Sequence, residues 1–452
     1  MKKNFIIIGL GPHAQSCQYE FLEHQFNKGR EITVSLLADL QDKNKDIDNY
    51  LKDKNLQPQQ IIGLPESDRN SPEINHNLLN FLEQIKKSVD GVIICTEPKA
   101  HKKYILWALQ NNIDVLADKP LTAPIINETG PAQIWQDYLE IEQALKKSKA
   151  HITLMTNKRL HDAYGKLYKN VEDFVSEFSV PITYIEVSEG GGIWNLPSEF
   201  NYKENHPYKY GYGILLHTGF HYVDLLLHYQ QINHQIGFKE DDIKLHAFGS
   251  TPYDFIKQLP QTAYERLFDG ENFSKEFQQL PLDKYKYYGI TDLLCSMQFM
   301  HKGAVITQAS LNLIQNSLSA RASRPYPQNP YLDSGRLTHN YIAIYCGPLF
   351  CAYLTYRQPD FLEDEESDFY SIDIFRNTEM IGGEAHTNIL FEDMFTQDNK
   401  YFSLNKKAKF NLMTKWLEGK CPECDFYNYR TGIKITSGLF EEIFKRRKER
   451  FS

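Results

Sequence analysis

Short unbroken apolar runs alternate with polar, helix-spaced segments over the first third of the chain. Asn4-Phe5-Ile6-Ile7-Ile8 ends at Gly9, and residues 32–37, 92–95 and 115–117 are similar runs. A run with no polar side predicts a strand buried on both faces of a parallel sheet. Between these runs, residues 15–28 carry Cys17, Phe21 and Leu22 at helical spacing. Residues 76–88 bring Leu78, Leu79, Leu82 and Ile85 together on an amphipathic helix; 100–111 form another, and 40–60 read as a polar helix and loop. Strand and helix in alternation predict an α/β Rossmann domain, a doubly wound parallel sheet with right-handed crossovers.

The pattern changes near residue 155. Longer segments at 184–189, 245–250, 294–301, 305–313, 341–346, 350–356 and 369–375 alternate apolar with polar positions. Such alternation predicts a large, mostly antiparallel sheet with one covered face. The expected organisation is a Rossmann domain over 1–155 and an α+β domain over 156–452, closed by helices at 407–418 and 432–448. Two Pro/Tyr-rich stretches, 251–286 and 315–338, read as arms that reach a cleft or a subunit interface, with Arg321, Arg324, Tyr326, Tyr331 and Arg336 on the second. Its prolines are too dense for a strand.

Charge and cysteine content narrow the function classes. The 452 residues carry a net charge of −8, which disfavours nucleic acid and anionic membranes as partners. The basic run 445–450 suits the last turn of a helix, where cations meet the negative end of the dipole. Seven scattered cysteines suit a reducing compartment, so the expected location is cytoplasmic. Cys421 and Cys424 form one C-x-x-C with no second pair, and neither they nor His217 with His221 predict a metal site.

Gly9-Leu10-Gly11-Pro12-His13-Ala14 fits G-x-G-x-x-G/A directly after a buried strand and before a helix, the context the motif needs. Gly9 permits the tight turn, Gly11 lets backbone approach a pyrophosphate, and Ala14 lets the helix pack closely. Pro12 suits the helix start, whose free N–H groups face the phosphates. Asp39, in Leu37-Ala38-Asp39, ends the second strand where an acid binds the ribose 2′-hydroxyl and repels a 2′-phosphate. No cation follows it immediately, so NAD is expected over NADP.

Thr96-Glu97-Pro98-Lys99-Ala100-His101 follows one buried strand, and Asp118-Lys119-Pro120 follows the next. Further on comes Gly211-Tyr212-Gly213-Ile214-Leu215-Leu216-His217-Thr218-Gly219-Phe220-His221-Tyr222-Val223-Asp224. Together these segments resemble the glucose–fructose oxidoreductase / inositol dehydrogenase / MocA (Gfo/Idh/MocA) family of NAD(P)-dependent oxidoreductases. The resemblance implies T-x-P-x-x-H, E-K-P and G-G-G-x-L-x-D-x-G-x-H-x-x-D segments, with Asp118 in place of the family's Glu.

It also implies roles. Lys119 and His221 handle the proton while hydride moves between substrate and nicotinamide, and His217 assists. Thr96, Pro98, His101, Asp118 and Lys119 join Gly9, Gly11, Pro12, His13, Ala14 and Asp39 around the cofactor. Asn157, Arg159, Trp194 and Asp224 are weaker substrate contacts. His217 stands where many members carry Asp and removes a fixed negative charge from the expected site. The first expected reaction is oxidation or reduction at a secondary alcohol/ketone carbon of a sugar, cyclitol or similar small polar substrate. The alternatives are reduction of an imine or conjugated double bond, or a non-catalytic NAD-binding sensor or scaffold. A homodimer or homotetramer through the C-terminal sheet is implied as well.

Overall fold

A computed structural model describes residues 2–194, 196–202, 207–267, 280–319, 337–359, 369–390, 404–419 and 421–452. Where the sequence suggests one boundary at 155/156, the chain divides into two discontinuous units. The first comprises Met1–Pro124, Gln133–His161 and Tyr401–Lys434, and the second Ile125–Ala132, Asp162–Lys400 and Ile435–Ser452.

The first unit is built on β1 (Lys3–Ile8), β2 (Ile32–Leu40), β3 (Ile61–Leu64), β4 (Gly91–Ile94), β5 (Asp114–Ala117) and β6 (Ile152–Leu154). They form one parallel sheet in the order β3-β2-β1-β4-β5-β6. Ile6, Ile7, Val34, Leu36, Leu37, Ile94 and Val115 are each at most 1% exposed, as a sheet covered on both faces requires. The segment 404–419 belongs to this core, with the Trp416 ring 5.2 Å from that of Phe5. Strand order reverses between β2-β1 and β4, so the carboxyl ends of β1 and β4 flank the switch point where such sheets bind ligands.

The second unit is built on β7 (Tyr184–Gly190), β8 (Asp242–Ser250), β9 (Asp292–His301), β10 (Ala304–Ile314), β11 (Leu337–Cys346), β12 (Phe350–Pro359), β13 (Phe369–Arg376) and β14 (His386–Leu390). Their order is β14-β13-β12-β11-β7-β10-β9-β8, antiparallel except for the parallel pair β7–β10. Leu293, Cys295, Met297 and Phe299 of β9 are buried while Leu294 between them is 55% exposed. The helices Asp162–Phe178 and Gly219–Gln230 lie against the buried face. The other face leaves Phe248, Leu294, Val305, Ile314 and Phe375 exposed.

Three elements differ from expectation. β3 and β14 were not foreseen; both are short sheet-edge strands, half exposed, and carry little apolar signal. The stretch 251–286 is no extended arm over its described residues. Thr251 and Asp254 form a capping box ahead of the helix Pro252–Gln258, with Pro252 at the first turn. Phe255, Tyr285 and Tyr288 then enter one aromatic cluster with Trp194, Phe200 and Tyr208. In the second stretch, residues 320–336, with Arg321, Arg324, Tyr326, Tyr331 and Arg336, lie outside the described residues. The basic end is absorbed by named partners in the helix Arg430–Phe451. Arg447 donates to the carbonyls of Tyr287 and Tyr288, and Arg450 pairs with Asp254.

Candidate active site

In the first unit the glycine loop grows out of β1. Gly9 has φ +90°, and a Cβ there would stand 2.6 Å from the backbone N of Thr96. The turn therefore needs glycine twice, for its dihedral and for its approach to the loop after β4. Gly11 differs: a Cβ there meets no protein atom within 4 Å. Pro12 opens a short helix that contains His13 and Ala14, and Ala14 is buried. The loop is clasped by Asp39, whose Oδ2 accepts from Leu10 N at 2.7 Å and whose Oδ1 accepts from Leu40 N at 2.7 Å. Burial pushes the Asp39 carboxyl up despite these two bonds.

A crevice beside this clasp is lined by Ile8, Ala38, Asp39, Thr96, Tyr104, Arg69 and Lys103. The two cations come from segments remote from Asp39 in sequence, so reading the residues after Asp39 missed them. Both are committed to protein partners. Arg69 pairs with Glu66 and, at 3.9 Å, with Asp42. Lys103 donates to the carbonyls of Ser71 and Glu73 at 2.9 and 3.0 Å. The residues present fit an unphosphorylated ribose against Asp39.

Beyond the crevice, His101 is 0% exposed. Its ring bridges two strand-end loops, Nε2 to Thr96 O at 2.9 Å and Nδ1 to Leu121 O at 3.2 Å. It is placed to hold the loops after β4 and β5 in register. Pro98 is buried, and its carbonyl accepts from Ala123 N at 3.3 Å. Asp118 Oδ1 accepts from Lys119 N at 2.8 Å, and Asp118 Oδ2 stands 3.9 Å from His13 Nε2. Burial pushes the Asp118 carboxyl up, but His13 and Lys119 outweigh it and hold the group below its ordinary range. The fold thus gathers His13, Asp118 and Lys119 at the carboxyl ends of β1 and β5. Asn157 and Arg159 lie in a turn after β6 and engage the returning segment: Asn157 Nδ2 reaches Asn405 O at 3.4 Å, and Arg159 lies 5.2 Å over the Tyr429 ring.

In the second unit His217 and His221 do not share one helix. Gly213–His217 ends before Thr218, whose φ/ψ is −108°/−30°, and Gly219–Gln230 begins after it. The entry is tight, because a Cβ on Gly213 would stand 2.4 Å from Ile290 N. His217 is 8% exposed. Its Nδ1 accepts from Gln315 Nε2 at 3.0 Å, and Gln315 Oε1 accepts from Tyr208 Oη. This chain places the ring lone pair on Nδ1 and the ring proton on Nε2. His221 begins the next helix, its N–H donating to Thr218 O at 3.1 Å. Asp224 follows one turn later and is 3% exposed. Trp194 packs in the aromatic cluster, 4.3 Å from Phe200 and 4.7 Å from Tyr208 between ring centroids. Gln315 and Tyr208 carry no motif, and only the fold reveals them as partners of His217.

Residues 3–148 match the Gfo/Idh/MocA family model, described as an oxidoreductase family with an NAD-binding Rossmann fold. No curated protein matches the chain. Among solved structures, an oxidoreductase from Sinorhizobium meliloti is similar at a TM-score of 0.57 and 12% identity, over 99% of this chain and 98% of that one. The WlbA dehydrogenase from Bordetella pertussis, in complex with NADH and UDP-GlcNAcA, is similar at 0.54 and 12%, over 98% and 97%. A myo-inositol dehydrogenase from Corynebacterium glutamicum is similar at 0.52 and 10%, over 99% and 98%. Residues 3–148 are therefore similar to the NAD-binding Rossmann domain of the Gfo/Idh/MocA oxidoreductases, and the chain as a whole shares its fold with these solved structures.

Proposed function

We propose that the protein transfers hydride between NAD(H) and a secondary alcohol/ketone carbon of a sugar, cyclitol or similar small polar substrate. Lys119 and His221 handle the proton, and His217 assists. The observation that carries this reading is the polar cluster at the end of β5, where Asp118 holds the backbone of Lys119 beside His13 and the glycine loop. An ammonium kept at the mouth of a dinucleotide site is suited to bind the reacting oxygen and to pass its proton. NAD⁺ supplies the hydride acceptor. Fold likeness to dehydrogenases that act near sugars and cyclitols supports the substrate class. The free cysteines support a reducing, cytoplasmic setting. The exposed apolar residues on the open sheet face support a homodimer or homotetramer. No helix among the described residues is long and apolar enough to cross a membrane.

The test is Lys119→Ala with a panel of polyols, aldoses and nucleotide sugars plus NAD⁺. NADH binding is expected to survive while turnover falls on the order of a thousandfold; unchanged turnover sinks the reading. A second reading, reduction of an imine or conjugated double bond, is favoured by the neutral His217 held by Gln315. Consumption of NADH with such substrates and none with sugars would select it.

A further inference from the structure

His217 stands where an acid is expected, and the fold brings a carboxylate from another element to Thr218, the next residue. Glu189, near the end of β7, is 4% exposed, and its Oε2 accepts from Thr218 Oγ1 at 3.3 Å. Thr218 joins the two histidine helices: its N–H donates to Ile214 O, and its carbonyl accepts the N–H of His221. Tyr222 lies one turn beyond Thr218. Its hydroxyl is pushed well above its ordinary range, first by burial and then by neighbours that include Tyr164 and Glu189. Positions 221 and 222 each neighbour position 218, three and four residues on along the helix. The Glu189 carboxylate therefore lies under the turn that carries His221.

Strand register builds this site. Glu189 is paired with Leu313 of β10 and Asn340 of β11; Asn340 is paired with Tyr356 of β12, and Tyr356 with Tyr370 of β13. Asn340 Nδ2 donates to Tyr164 Oη at 2.8 Å from beneath the helix Asp162–Phe178. The groups gathered around this turn are thus Tyr164, Asn340, Tyr356 and Tyr370 from the elements below. His217, Tyr222 and Asp224 come from its own segment. Glu189 and Asp224 are the carboxylates of the set. A buried carboxylate is costly unless hydrogen bonds or positive charge offset it, and a ring that gains a proton offers that charge.

We propose that Glu189 is the positioning carboxylate of this histidine pair, stabilising the imidazolium formed when His221 takes the proton of the substrate hydroxyl. In that step the substrate C–H bond breaks with its electron pair passing to NAD⁺. The O–H proton passes to the imidazole, and a C=O bond forms; reduction runs the same transfers backward. This rests on the hydride-transfer reading above. A helix His without its motif acid is thereby given a negative charge again, from a strand.

The experiment measures the proton affinity of the His221 ring by NMR of histidine-labelled, full-length protein with NADH bound, the resonance being assigned by its loss in His221→Asn. Glu189→Gln keeps the shape and an acceptor for Thr218 but removes the charge. About a tenfold loss of proton affinity at His221 is expected, a downward shift of about one pH unit, and Glu189→Asp retains most of it. Thr218→Val severs the hydrogen bond and is expected to give a smaller loss, which serves if the glutamine variant does not fold. An unchanged His221 titration in either folded variant overturns the proposal. So does a shift produced by Asp224→Asn and absent in Glu189→Gln. No substrate enters this measurement, so it is separate from the Lys119→Ala test: absent turnover with intact Glu189–His221 coupling would count against the reaction alone.

Discussion

The Asp39 carboxylate closes on the backbone N–H of Leu10 at 2.7 Å, joining two positions 29 apart in sequence. One side chain thus holds the glycine loop and lines the crevice beside it. Asp39→Ala is expected to weaken NADH binding about tenfold and to narrow the preference for NADH over NADPH. Fluorescence titration with both cofactors checks this, and an unaltered preference would remove Asp39 from cofactor selection.

The two loop glycines should fail in different ways. Gly9→Ala meets a positive φ and the Thr96 backbone at 2.6 Å, so it is expected to destabilise the fold by about 2 kcal/mol or more. Gly11→Ala meets no protein atom within 4 Å and should leave stability within about 0.5 kcal/mol while weakening NADH. Thermal unfolding beside cofactor titration separates the two. Equal loss of stability in both would contradict the assignment.

Gln315, 1% exposed, donates to His217 and accepts from Tyr208. Gln315→Leu removes both bonds inside the core. Denaturant unfolding is expected to show a loss of about 1–3 kcal/mol. A neutral outcome would mean that the histidine is held by other contacts.

Asp254 caps the helix that opens the first Pro/Tyr-rich stretch and pairs with Arg450. Burial raises its pKa, but Arg450 and Thr251 outweigh burial and leave it below the ordinary carboxylate value. A depressed folded pKa means that the stabilisation is present above the unfolded value of about 4 and is lost as pH falls through the lower folded value. Asp254→Asn should therefore cost about 1 kcal/mol at neutral pH. The half-exposed Arg450 adds little beyond the cap. The gap from wild type should close below about pH 4; a gap that persists in acid would refute the charge-based account.

Much of the first unit was legible because its signals are local. Unbroken apolar runs mark β1, β2, β4 and β5, and the glycine loop lies next to the strand that positions it. β3 and β14 were invisible because edge strands share half their surface with water. The prolines of the first Pro/Tyr-rich stretch suggested an arm, although Pro at a helix start is favourable and Thr251 supplies the cap. His217 and His221 looked like one face of one helix, since nothing in their spacing announces the break at Thr218.

By itself the sequence determined the parallel and antiparallel halves, the dinucleotide loop, the acid at Asp39 and the residue types offered for proton transfer, all read over a few neighbouring positions. Tertiary structure alone decided which groups face the histidines. Gln315 reaches His217 across 98 positions, and Glu189 reaches Thr218 across 29. Those partners depend on strand register, and register is set by pairing between distant segments, where a one-residue slip turns every side chain to the other face.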